Sequence, residues 1–206
     1  MSRAFHFVGC SRVLEGLTQG ADGGAQLVEF AVSLPLLVIF VVGIFDFSGA
    51  FTLKQKLANI ARDAARAAAT GPAGDLSSSQ PVSVSDAFQL IHNYLIANRL
   101  NDCGITQSTS PSGLTWTSTG TGSGCPSGGL TIIINRGYYF PITGASLPSV
   151  ACASQASGSG QTALVGTCVS IQYAYAWRFG RAASLLGQSM TLPSSISAVG
   201  VVLNEN

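Results

Sequence analysis

Charge is scarce in this chain and becomes scarcer along it. Charged residues make up 9% of its 206 positions. Beyond Thr70 there is no lysine, the acids are Asp75, Asp86, Asp102 and Glu205, and the single histidine is His92. Acid–base and nucleophilic catalysis need such groups brought together. No Gly-x-Ser-x-Gly, Walker or GxGxxG pattern sits at a strand-to-helix junction, and Gly158-Ser159-Gly160 is loop composition. The chain is therefore not expected to be an enzyme. A formal net charge of +1 gives no electrostatic case for nucleic acid. Metal sites are as poorly provided for: His6 is the other histidine, and no cysteine pair has the C-x-x-C spacing of zinc or redox sites. No cofactor and no metal are expected.

What the chain does have is a long run without charge, Ala31–Phe45. With Leu27, Val28 and Phe30 before it and Phe47 to Phe51 after it, the run reaches about 25 largely apolar residues, enough to cross a ~30 Å hydrocarbon core as a helix. It is too long for an ordinary cleaved signal peptide, so a single-pass anchor is expected. Pro35 lies inside it, where proline removes one backbone hydrogen bond and crowds the carbonyl of Ala31. It marks either a bend or helix contact, or a tolerated kink. The helical pattern continues from Leu53 to Thr70, with Leu53, Leu57, Ile60, Ala61, Ala64 and Ala68 on one narrow stripe, and stops at Gly71-Pro72. One helix from about Ala25 to Thr70 would be roughly 70 Å long. Its amphipathic extension is built to pack against its own domain or a neighbouring subunit.

The remaining chain divides into a polar leader (1–24), a Gly/Pro/Ser linker (71–83) and a small α+β domain (84–206). A second helix is expected over 84–100, capped by Ser85 or Asp86 and burying Phe88, Ile91, Leu95 and Ile96, with His92 solvent-facing or half-buried. An antiparallel sheet is expected from Leu130–Asn135, a turn at Arg136-Gly137 into Tyr138–Ile142, and an alternating strand over Val169–Trp177. Met190–Leu192 and Ser197–Leu203 are weaker strands, and 104–124 and 143–167 read as loops. Cys10 precedes the anchor; Cys103, Cys125, Cys152 and Cys168 follow it. Four cysteines in a small exported domain read as two disulfides rather than four buried thiols. Each long loop has a cysteine at or near each end, where closure restricts the unfolded chain most, so Cys103–Cys125 and Cys152–Cys168 are favoured over the crossed pairings.

The stretch Gly24, Leu27-Val28-Glu29-Phe30, Leu34-Pro35, Gly43-Ile44, Asp46-Phe47 and Asn59 to Arg66 resembles the N-terminal signature of the TadE/TadF-like proteins of the Flp/Tad pilus assembly system. The resemblance implies a minor pilin or pseudopilin with a long N-terminal transmembrane helix continuing into a disulfide-stapled, pilin-like domain. It implies cutting by a prepilin peptidase between Gly24 and Ala25, which leaves Glu29 as fifth residue. Glu29 and Phe30 would then serve assembly. The implied partners are other pilin-like subunits, Tad assembly proteins, the peptidase and membrane lipid. The implied location is the cytoplasmic (inner) membrane, with the C-terminal domain outside and passage into a surface pilus as a further step. A carboxylate at Glu29 costs about 2.5–3.5 kcal/mol at mid-bilayer; it is inexpensive at the interface and useful beside a new α-ammonium at Ala25. Lys54, Lys56, Arg62 and Arg66 follow the anchor while Arg12 and Arg3 precede it, which by the positive-inside rule points to the opposite orientation. The cysteine pattern and the leader agree with each other and are given the greater weight. The alternative is a signal-anchored surface or periplasmic binding domain unrelated to a pilus, which would retain residues 1–24.

Overall fold

The computed structural model describes residues 15–107, 112–140, 152, 164–180 and 191–205, with side chains from Gly24 onward except that of Phe140. The leader before Glu15, Cys10, residues 141–142, most of the 143–167 loop and Met190 lie outside these.

A single helix, α1 (Glu15–Thr70), runs for 56 residues and passes through Pro35. It begins earlier than the expected Ala25, although Gly16, Gly20, Gly23 and Gly24 lower the helix propensity of that stretch. Its two halves live in different surroundings. From Leu27 to Phe51 most of its large apolar side chains are exposed, Ile39 and Val42 being half-buried. From Leu53 onward the expected stripe is buried, and Ala65 and Ala69 widen it.

The helix packs on a four-stranded antiparallel meander, β1 (Thr115–Gly120), β2 (Leu130–Phe140), β3 (Leu164–Ala174) and β4 (Ser195–Leu203), in that spatial order. Ile132 pairs with Ile171 and Ile134 with Val169, so alternate residues deliver one apolar face to α1. The alanines are what let the sheet come close. A Cβ on Gly200 of β4 would sit 2.3 Å from the Ala61 carbonyl oxygen. Helix backbone and strand backbone are thus nearly in contact there, and the extension of α1 packs against its own domain.

The second helix, α2 (Val82–Ala97), packs on α1 through Val84, Ala87, Phe88, Ile91 and Leu95. Three expectations need correction here. Ile96 is 55% exposed, because it falls outside the stripe that α1 covers. The helix starts at Val82, inside the expected linker, and neither Ser85 nor Asp86 caps it. The Asp75 carboxylate takes over that role, accepting from the Val82 amide at 2.7 Å. His92 is half-buried with Nδ1 3.3 Å from Asp102.

The sheet also departs from its expected outline. The Thr, Ser and Gly that dominate β1 predict a loop, but Trp116 gives it an anchor in the core, and it forms a strand. Arg136-Gly137 is a bulge within one strand rather than a turn: Asn135 pairs with Cys168 and Tyr138 with Gly166, leaving one residue extra on β2. The bulge sends Arg136 to the helix side, where its buried Nη2 donates to the Gly71 carbonyl at 3.2 Å, just past the end of α1. A cation there complements the helix dipole, although α1 has no basic residue in its own last turn. Burial lowers the guanidinium pKa, and the Asp75 charge opposes that. β3 ends at Ala174, so Tyr175 and Trp177 lie beyond it, and Thr191-Leu192 are not strand. Behind the sheet a small second core joins Tyr138 to the Cys152–Cys168 disulfide. The other disulfide is Cys103–Cys125, and both have Cα atoms 5.4 Å apart.

Candidate functional site

The residues singled out at the start of α1 stand apart from the rest of the protein. Gly24, Ala25, Glu29, Phe30 and Pro35 are all exposed, and an added Cβ at Gly24 would meet nothing within 4 Å. Among the described residues no other element reaches them. The four cysteines lie in the domain, so the structure does not gather the expected site residues into one place. Among the described residues no three His, Cys, Asp or Glu side chains form a metal-holding group.

A built site does exist where the exposed half of α1 meets the domain, and it centres on Asp46. A carboxylate between Phe45 and Phe47 is expensive in an apolar setting unless fully bonded. Here it is 7% exposed. Its Oδ2 accepts from the backbone amides of Arg178 and Phe179 at 2.8 and 2.9 Å. The Tyr175 hydroxyl lies 3.2 Å from Oδ1 and 3.1 Å from the Asp46 carbonyl, and can donate to either. Hydrogen bonds to a charged acceptor each contribute about 1.5–3 kcal/mol, so Asp46 ties the segment after β3 firmly to the anchor. Burial raises the Tyr175 pKa, and the Asp46 charge adds to that.

Two glycines make room for this contact. A Cβ at Gly43 would meet the Phe179 ring at 3.0 Å, and one at Gly49 the Tyr175 hydroxyl at 3.0 Å. Phe47 stacks at a tilt on Trp177 and Phe179, with ring centroids 5.2 and 6.1 Å apart, and Trp177 meets Tyr175 edge-on at 4.9 Å. The sequence did carry one signal for the site, an acid embedded among aromatics. Two of the partners of that acid are backbone amides, which leave no mark in a sequence.

From Leu27 to Phe47 the helix rises about 30 Å, the thickness of a hydrocarbon core. The helix is long and apolar enough to cross a membrane, and only 6% of its most apolar stretch is buried, so it is not a core helix over that length. The aromatic cluster sits at the end of that stretch, where Trp and Tyr favour the membrane–water boundary.

Residues 24–66 match the family model for TadE-like protein. The match begins at the Gly24 of the resemblance above and takes in the bare arm, the Asp46 site and most of the face that β4 covers. It spans about a fifth of the 206 residues. The TadE-like segment supports involvement of this chain in the Tad pilus system, and with it association with other components of that system. No curated protein and no solved structure matches the chain.

Proposed function

We propose that the chain is a non-enzymatic minor pilin or assembly component of a Tad-type pilus. Its N-terminal helix anchors it in the cytoplasmic membrane, and residues 84–206 form the unit outside. The observation that carries this reading is the bare TadE-like arm: the matched segment begins with an exposed apolar helix that none of the described elements covers. Such a surface has two uses, to meet lipid or to meet other helices. The Asp46 staple supports the second use, since it fixes the arm to the domain so that helix packing would set the position of the whole subunit.

In this reading a prepilin peptidase cuts between Gly24 and Ala25, and Glu29 then meets the new α-ammonium of a neighbouring subunit. An own-chain pair at that exposed helix terminus would contribute under about 1 kcal/mol. Mass analysis of membrane-extracted protein should give an N-terminus at Ala25, and Gly24→Val should give the uncut chain. A native N-terminus at Met1 in cells that contain the peptidase would return the protein to the signal-anchored alternative. Glu29→Gln should still be cut and inserted yet lose co-purification with pilus components. Unchanged co-purification would leave Glu29 as an interfacial residue without an assembly role.

A further inference from the structure

Beside the Asp46 staple lies a cleft of about 870 Å³ between α1 and the end of β3. It follows one face of the helix from Val42 and Phe45 up past Thr52 to Lys56, and Arg178 lines its other wall. At 1.5 Å per residue that is a height of about 21 Å. Its lower end is at the level of the exposed apolar arm; its upper end belongs to the domain. We propose that this cleft holds one anionic phospholipid, acyl chains along Val42 and Phe45 and phosphate between Lys56 and Arg178. The proposal rests on the reading that α1 crosses a membrane.

The charges favour an anion. Among the described residues, three ionisable groups line the cleft besides the tyrosines: Asp46, Lys56 and Arg178. The Asp46 oxygens are occupied by two amides and a phenol. Neither the Lys56 ammonium nor the Arg178 guanidinium has a hydrogen-bond or ion-pair partner among the described residues. The heights agree as well. Helical side chains lean toward the N-terminus of the helix, so the ammonium of Lys56 reaches back toward the turn at Thr52. That is about 8 Å beyond Phe47, within the headgroup layer that flanks the hydrocarbon core.

An extended peptide fits less well, since it would leave backbone amides unbonded in the lower, apolar half.

Native mass spectrometry on the full-length chain, extracted in mild detergent and offered phosphatidylglycerol or phosphatidylcholine, tests this. One phosphatidylglycerol should be retained about tenfold over phosphatidylcholine. Lys56→Gln with Arg178→Gln should cut that preference at least fivefold, and the exposed pair Arg62→Gln with Arg66→Gln should leave it intact. Equal retention of the two lipids, an unchanged preference in the Lys56/Arg178 variant, or protection of the cleft by a second copy would overturn the proposal. Alkaline extraction of the membranes separates the two claims. A chain released by carbonate refutes the spanning helix itself, whereas a retained chain with no lipid preference refutes the lipid site alone.

Discussion

At the scale of single residues, Asp46 carries the most consequence. Its carboxylate uses both oxygens, and two of its partners are amides that can only donate. Asp46→Asn keeps the shape but removes the charge, and it keeps only one acceptor oxygen where the aspartate has two. The substitution should cost about 2–3 kcal/mol and loosen the 175–179 segment. A lower unfolding midpoint in detergent, with new protease cleavage between Tyr175 and Gly180, would show it; an unchanged midpoint would mean the ring stacking holds the segment alone. By contrast the exposed Asp63–Arg66 pair, 3.7 Å apart, contributes little to stability.

At the scale of elements, the decisive contact is that of β4 with α1. The alanine-rich helix face and Gly200 together bring two backbones close enough that no side chain fits between them. Gly200→Val should therefore push β4 off the helix and cost about 3 kcal/mol or more. Gly24→Val is the matched control, since Gly24 has open space around it; it should leave folding untouched and change only processing. Thermal unfolding of the two variants side by side checks this, and equal midpoints would show that β4 can shift without penalty.

At the scale of the whole molecule, two loops are closed covalently, with sequence separations of 22 and 16. Loops of this size are each stabilised by about 3 kcal/mol in the chain-entropy view. Non-reducing peptide mapping should recover the linked pairs, and reduction should unfold the sheet well before the Leu53–Ala69 packing would predict. Four alkylatable thiols in the purified, membrane-extracted protein would rule out both bonds. Orientation is a separate matter. An alkaline phosphatase fusion after Asn206 should be active, and an inactive fusion at equal expression would mean that Lys54, Lys56, Arg62 and Arg66 govern topology after all.

The sequence by itself determined whatever depends on neighbours along one helix. The charge-free run, the stripe from Leu53 to Ala68 and the TadE-like pattern from Gly24 to Arg66 are all local periodicities, and periodicity is visible without a fold. The strand at Leu130–Asn135 and the alternating face that begins Val169, Ile171 were legible from local pattern as well. Tertiary structure decided the rest. β1 is strand because Trp116 has a core to enter, despite a composition that reads as loop. Arg136 is a bulge residue that reaches the end of α1 from 65 positions away. The Asp46 site depends on backbone amides more than 130 positions distant. A backbone donor is the same in every sequence, so where it points is settled only when the chain has folded.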